Sequence, residues 1–200
     1  MTKQRLKSPR LRLFVALDLP DEVKAGIATW GARELTDPAL RPVAPENLHV
    51  TLAFLGSRPE RDAERIAPLL ARAAGPAPVI DLGDPEPRPR ANRPRLFALP
   101  ATSPGAETMQ ARLVELLVAD GLYDAEKRSF WPHVTVARVR AQSGRSRRPR
   151  TVERPPQKLP PGLSEAFHGV RMTLYRSELQ PLGARYVPLA QVELPGAGRQ

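Results

Sequence analysis

Two short motifs in this chain could carry out acid–base chemistry. His49 to Leu52 and His133 to Val136 both read His, apolar, Thr, apolar, in a chain that contains three histidines. Alternate side chains of an extended strand share a face, so each motif is predicted to present one imidazole and one hydroxyl together. Two imidazoles can supply both the base that activates an attacking oxygen and the acid that protonates a leaving oxygen.

The threonines and one arginine suggest what kind of ester is bound. Thr51 and Thr135 can donate hydrogen bonds to the non-bridging oxygens of a phosphate, where charge accumulates during reaction. Arg138 follows His133 by five residues and can strengthen such a clamp. The residue types therefore favour phosphoryl chemistry on an ester with a neighbouring hydroxyl.

The surroundings of the two motifs repeat as well. An apolar segment at Arg12–Leu17 precedes His49 at nearly the same spacing as Arg95–Leu99 precedes His133. Between each pair lies a segment of helical character. These predicted helices span Asp21–Leu35 and Ala106–Asp120. The repeated strand, helix, strand unit predicts an internal duplication, in which each lobe contributes one His and one Thr to a shared cleft.

Hydrophobic patterning and Gly or Pro breaks predict the remaining elements. A further helix is predicted at Arg61–Ala74. Strands are predicted at Leu11–Leu19, Asn47–Leu55, Val79–Leu82, Leu96–Leu99, Pro132–Val139, Val170–Tyr175 and Tyr186–Val192. The stretch Pro85–Pro94 cannot be a central strand, because proline donates no ladder hydrogen bond. Residues 1–10 are predicted to be a flexible basic leader.

Composition limits the class of protein. With 200 residues and 41% hydrophobic content, we expect a single domain over residues 1–200, built as one bilobal unit. The absence of cysteine excludes disulfides, thiolate nucleophiles and Cys-based zinc sites, and it fits a reducing compartment. The first apolar run is too short for a signal peptide or a membrane span, so we expect a cytoplasmic protein without membrane contact.

The charge is strongly basic. A net charge of +10 indicates attraction to polyanions such as RNA, although an Arg-rich genome explains the total equally well. Arginines crowd the segment 140–161 and the strand before it, which predicts a flexible basic loop. They are Arg138, Arg140, Arg145, Arg147, Arg148, Arg150 and Arg154. Either contact with a phosphate backbone or simple solvation accounts for this loop.

Other kinds of site are less well supported. A single His-x-Thr is common in structural strands, so the inference depends on the duplication. Metal binding lacks carboxylate partners, because Glu46 is predicted to face away from His49 and no acid lies within five residues of His133. His168 has no partner pattern and is interpreted as structural. We found no Gly-rich phosphate loop, serine elbow or zinc spacing.

Residues just before the second motif could contact a substrate. Phe130 and Trp131 precede His133, and an aromatic ring beside a phosphate site can stack on a nucleobase. Filling one end of the core is an equally good interpretation of either ring. Arg128 is a further candidate contact.

Taken together, these segments resemble the two-histidine phosphoesterase superfamily, and within it the LigT-like RNA 2′,3′-cyclic phosphodiesterases, also described as 2′-5′ RNA ligases. The matching segments are Arg12–Ala16, Glu46–Gly56, Phe130–Arg138, Leu174–Ser177 and Gly183–Tyr186. The resemblance implies an α+β, bilobal, internally duplicated fold with two antiparallel sheets facing a central cleft and helices outside. The long Arg-rich stretch after Arg138 departs from the family pattern and could change which RNA is accepted.

The resemblance also implies a reaction and its residues. Water opens a terminal 2′,3′-cyclic phosphate on RNA, leaving a 2′-phosphate, without a metal or any other cofactor. By similarity, His49 is the acid that protonates the departing 3′ oxygen and His133 the base that activates water. The implied substrate contacts are Thr51, Thr135, Arg138, Phe130 and Arg128. RNA ends, with tRNA fragments as one source, or cyclic nucleotides are the expected substrates of a monomeric enzyme.

Two alternatives stay open from the sequence. The first is a non-catalytic module that binds RNA ends, which the basic charge equally supports. The second is ligation of RNA ends through a 2′-5′ bond, the reverse of the same chemistry.

Overall fold

The computed structural model describes residues 9–124, 126, 128–144, 148–180 and 183–196. Most of the predicted leader and residues 145–147 of the predicted basic loop therefore lie outside the described residues. The helices are α1 (Asp21–Glu34), α2 (Arg61–Ala73) and α3 (Pro104–Ala119). The strands are β1 (Arg10–Asp18), β2 (Leu40–Pro42), β3 (His49–Pro59), β4 (Val79–Leu82), β5 (Glu86–Arg88), β6 (Leu96–Thr102), β7 (His133–Val139), β8 (Phe167–His168), β9 (Arg171–Gln180) and β10 (Gly183–Glu193).

The strands form one antiparallel arrangement, with three helices packed against it. The strand order is β10-β9-β1-β3-β7-β6-β4-β8, with β2 on β7 and β5 on β6. The predicted α+β class is confirmed. The expectation of two separate sheets needs correction, because β7 of the second half pairs with two strands of the first half, with β3 at Val50 opposite Val134 and with β2 at Leu40–Pro42. The pair of Val50 and Val134 lies inside the two His-x-Thr motifs.

The core lies on the inner face of this sheet. Along β1, Leu13, Val15 and Leu17 are completely buried, and α2 and α3 add Ile66 and Leu113 to the same cluster. Full burial of each such side chain stabilises the fold by about 1.5–3 kcal/mol. Because β1 lies between β3 and β9, it anchors the strand that carries the first motif.

The pairing of β1 with β3 contains two irregularities, and one of them falls at a glycine. Gly56 has φ +70° and lies opposite Leu13, and the register then shifts so that Phe14 pairs with Phe54. Only glycine adopts this conformation without strain. The predicted end of this strand at Leu55 is therefore wrong, because a bulge here lets β3 continue to Pro59.

Most predicted elements are confirmed with shifted ends. All three helices lie within two residues of their predicted bounds, and the β4 prediction matches in full. The short strands β2 and β8 were not predicted. The proline-rich stretch contributes only β5, which pairs with β6 alone. Among the described residues, no helix is long and apolar enough to cross a membrane.

The described part of the basic loop is bonded to the body of the protein, and its flexibility stays a prediction. Ala141 forms an isolated bridge with Pro149. The carboxylate of Asp37, only 4% exposed, accepts hydrogen bonds of 2.8 Å from the backbone N–H groups of Glu153 and Arg154. A buried carboxylate with several N–H donors fixes the path of the chain that contacts it.

Candidate active site

The two motifs lie side by side where the two half-sheets meet, one on the β3 side of the sheet and the other on the β7 side. His49 is the first residue of β3 and His133 the first of β7, and the neighbouring residues Val50 and Val134 face each other. These valines are 1% and 0% exposed, whereas both histidines are partly exposed. The predicted alternation, with apolar residues inward and His and Thr on the other face, is what the structure shows.

Both imidazoles are held in the same tautomer. Nδ1 of His49 lies 2.8 Å from the carbonyl oxygen of Asn47, and Nδ1 of His133 lies 2.8 Å from that of Trp131. A carbonyl only accepts hydrogen bonds, so each Nδ1 carries the proton and each Nε2 of the neutral ring is an acceptor. The Thr51 hydroxyl accordingly donates to Nε2 of His49 at 3.1 Å. In both halves, the carbonyl two residues before the histidine orients the ring.

A cavity of about 120 Å³ brings the predicted catalytic and phosphate-binding residues together. Its lining residues come from β1, β3, β7, β9, β10 and the segment before β3. They are Phe14, Val43, Asn47, His49, Thr51, Phe54, His133, Thr135, Arg138, Ser177 and Tyr186. Arg138 supplies the cationic side chain of this lining. Two imidazoles, four hydroxyls and one guanidinium around so small a volume suit a phosphate group.

Aromatic rings surround His49. Phe14 stacks on it with ring centroids 5.0 Å apart, and Tyr186 meets it edge-on at 5.4 Å. Tyr175 stacks on the Phe14 ring at 5.2 Å. These contacts fix the plane of the imidazole and remove much of its hydration.

The environment of His49 favours its neutral form. Burial, together with the nearby positive charges of His133 and Arg138, lowers the pKa of His49 to about 4. The hydrogen bond to the Asn47 carbonyl and the negative charge of Asp18 oppose this pKa shift. The free protein therefore holds His49 neutral at pH 7.

The environment of His133 shifts its pKa in the same direction, with different charged neighbours. Burial lowers its pKa, while the hydrogen bond to the carbonyl of Trp131 opposes the shift. The positive charges of Arg88 and Arg138 lower the pKa further. No carboxylate takes part in this shift, in contrast to the role of Asp18 at His49.

Asp18 is the buried carboxylate behind the first histidine. It is 3% exposed, ends β1 and pairs with His49 in the register of β1 and β3. It accepts hydrogen bonds from Arg171 at 2.9 Å and from Thr173 and Tyr175 at 2.8 Å. Sequence reasoning missed Asp18, and its one signal was an acid that directly follows the apolar run from Leu13 to Leu17.

Arg128 and Phe130 lie in a second, adjoining space. They line a groove of about 920 Å³ between α3 and β3, which shares Thr51, Phe54 and His133 with the small cavity. Phe54 is 48% exposed there. The structure thus places the two predicted substrate contacts beside the histidines, outside the small cavity.

Metal-ligating side chains do not gather at this site. Within the described ranges, no three or more His, Cys, Asp or Glu residues come together as a metal site. His168 lies on β8, which pairs with β4, and its Nδ1 is 3.2 Å from the carbonyl oxygen of Ala77. It does not line the cavity, in agreement with its structural interpretation.

Comparison with known proteins places this chain in a family. LigT-like phosphoesterases match the chain over residues 17–82. The RNA 2′,3′-cyclic phosphodiesterase of Escherichia coli is 31% identical over 179 residues, which cover 89% of this chain and 93% of that protein. The chain belongs to the LigT-like phosphoesterase family. The RNA 2′,3′-cyclic phosphodiesterase of Thermus thermophilus is 32% identical over 205 residues, covering 93% and 91% of the two chains.

Solved structures of similar proteins agree. Escherichia coli LigT complexed with 3′-AMP has a TM-score of 0.73 and 30% identity, covering 94% of this chain and 99% of that chain. A Thermus thermophilus protein gives a TM-score of 0.71 and 32% identity, covering 94% and 100%. The predicted resemblance is confirmed, and with it the assignment of this chain as a phosphoesterase.

Proposed function

We propose that this LigT-like phosphoesterase hydrolyses the 2′,3′-cyclic phosphate at the end of an RNA to a 2′-phosphate, using two histidines and no metal. The observation that carries the proposal is the shared orientation of the imidazoles. His49 and His133 line one small cavity, and a backbone carbonyl holds each Nδ1 so that Nε2 is the reactive nitrogen. The relatives named as RNA 2′,3′-cyclic phosphodiesterases support the choice of substrate.

The proposed reaction moves one proton at each histidine. Nε2 of His133 accepts a proton from water as the water oxygen attacks phosphorus. Nε2 of His49 donates a proton to the 3′ oxygen as the bond between that oxygen and phosphorus breaks. The product carries a 2′-phosphate and a free 3′-hydroxyl. Proton transfers of this kind contribute about 10²- to 10⁴-fold each to the rate.

Electrostatics supports this division of roles. Asp18 favours the protonated form of His49, whereas Arg88 disfavours the protonated form of His133. Because the pKa of His49 in the free protein is about 4, its proton must be stabilised by the bound substrate. The anionic phosphate between the rings supplies this stabilisation.

The remaining lining residues hold the phosphate. Thr51 and Thr135 donate hydroxyl hydrogen bonds, and Arg138 adds a charge-assisted one. When His49 is protonated, its Nε2 no longer accepts from Thr51, and the hydroxyl is free to donate to a phosphate oxygen. Phe130 and Arg128, in the adjoining groove, contact the nucleoside that carries the cyclic phosphate.

One assay tests the proposal against its alternatives. The protein is incubated in excess EDTA with a short RNA that ends in a 2′,3′-cyclic phosphate, and both binding and product are measured. We expect a 2′-phosphate product at an unchanged rate. Loss of turnover with the chelator would refute the metal-independent mechanism. Tight, salt-sensitive binding without product would identify an end-binding module instead, and a 2′-5′ joined product would identify a ligase.

A further inference from the structure

The side chains of Arg88, Trp131 and His133 stack one on another. The guanidinium of Arg88 lies 3.9 Å from the centre of the Trp131 ring, well within the range of a cation–π contact. The Trp131 ring stacks on His133 with centroids 4.2 Å apart and planes inclined by 16°. The carbonyl of Trp131 also accepts the hydrogen bond from Nδ1 of His133. Trp131 therefore holds the imidazole both by its face and by its edge.

Arg88 is itself fixed by its surroundings. It lies on β5, opposite Leu96 of β6, and forms an ion pair with Glu86. Its Nε is buried and has no hydrogen-bond partner among the described residues. A long cationic side chain with a buried, unpaired N–H group loses hydration energy. The cation–π contact with Trp131 offsets part of this lost hydration energy.

We propose that Arg88 is a positioning residue for His133: through Trp131 it fixes the imidazole plane, and its charge keeps the ring neutral and able to accept a proton at Nε2. The catalytic consequence rests on the function proposed above. The effect on the histidine itself does not depend on that function.

The other charges near His133 do not account for the difference between the two histidines. Arg138 on β7 lowers the pKa of both rings, and His49 faces His133 from β3. The groove on the α3 side presents further titratable groups. They are Glu115, Tyr123, Glu126 and Arg128. Arg88 acts on His133 alone, as Asp18 acts on His49 alone, so the duplicated motifs have opposite electrostatic partners.

The test is a titration of His133 followed by NMR in the ligand-free protein. In Arg88→Met, which keeps an unbranched side chain but removes its charge, we expect the pKa of His133 to rise by about 0.5 unit or more. Arg88→Lys should leave that pKa near the wild-type value. The matched control is Arg72→Met, an equal change of charge at an exposed position on α2. An unchanged His133 titration in Arg88→Met, or an equal shift in Arg72→Met, would overturn the electrostatic role.

The stacking role has a kinetic readout. Arg88→Lys keeps the charge but loses the planar guanidinium, and we expect kcat to fall about fivefold or more with little change in KM. A kcat equal to that of wild type would overturn this part of the proposal. If Arg88→Met does not fold, the NMR titration of His133 is performed on Arg88→Gln instead. If the wild-type protein fails to open a cyclic phosphate, the proposed function fails, and the NMR titration still decides whether Arg88 controls His133.

Discussion

Asp18 occupies the register position opposite His49, where the last residue of β1 meets the first residue of β3. The buried carboxylate is the negative charge that raises the pKa of this histidine, against the larger effect of burial. The first half of the protein thus supplies its histidine with a partner that favours a bound proton. In the second half, burial and two arginines, Arg88 and Arg138, lower the pKa of His133.

Asp18→Asn should affect both the rate and the stability. Loss of the negative charge lowers the pKa of His49 further, and an acid that holds its proton less readily gives a lower kcat. The variant also weakens charge-assisted hydrogen bonds from Arg171, Thr173 and Tyr175. We expect a loss of about 2 kcal/mol in the free energy of unfolding, measured by urea denaturation. Wild-type kcat in a folded Asp18→Asn protein would contradict the role given to this carboxylate.

Removal of either histidine of the cavity should abolish most of the activity. His49→Ala and His133→Ala are each expected to lower kcat by about 10²-fold or more with a 2′,3′-cyclic nucleotide, because each removes one proton transfer. His168→Ala is the matched control, since this third histidine lies on β8 and does not line the cavity. A wild-type rate in either cavity variant would remove that histidine from the mechanism.

Titration of His49 should depend on the presence of an anion. In the ligand-free protein we expect it to protonate near pH 4, because burial disfavours the charged ring. Inorganic phosphate in the cavity should raise that pKa, since the anion favours the imidazolium. The measurement is an NMR pH titration of the ring protons with and without phosphate. A His49 pKa that phosphate leaves unchanged would show that the anion does not bind beside this ring.

The same shift makes stability depend on pH. The unfolded chain binds a proton at His49 near its ordinary pKa of 6.5, whereas the folded protein does so only near 4. The unfolded state therefore binds more protons between these values, and stability falls as the pH drops from about 6.5 towards about 4. Urea unfolding of wild type and of His49→Gln across this range measures the effect. An equal slope in both proteins would contradict it.

Asp37→Asn should weaken the attachment of the basic loop to the rest of the protein and lower the stability of the fold. The buried carboxylate accepts backbone hydrogen bonds from Arg154, Ala39 and Glu153, and these lower its pKa although burial raises it. The stability they give is present above the ordinary pKa of 3.8 and is lost as the pH falls through the lowered value. At pH 7 we expect a loss of about 1–3 kcal/mol in the free energy of unfolding, measured by urea denaturation. Asp21→Asn, at an exposed position on α1, is the control and should change little.

The sequence predicted best what depends on local pattern. Helix α1 follows Pro20 with two acids in its first turn, and its predicted start is confirmed. The placement of His49 and Val50 on opposite faces of the strand was equally predictable, because strand periodicity is a property of adjacent residues. The strand β8 was missed, since two residues carry no period.

Relationships between distant strands could not be predicted. Asp18 reaches its place beside His49 only through the register of β1 and β3, which depends on bulges at Gly56 and further along β3. Arg88 lies 43 positions before Trp131 in a proline-rich stretch that gave no catalytic signal. Their contact follows from the pairing of β6 both with β5 and with β7.

The meeting of the two half-sheets at Val50 and Val134 has a consequence for how such a molecule can diversify. Apart from this pair, β7 pairs with the described strands of the first half only through the short strand β2, so most loops and edge strands of both halves lie away from the boundary. Substitutions on either flank can therefore accumulate without disturbing the spacing between the imidazoles, whereas changes at the boundary alter that spacing directly.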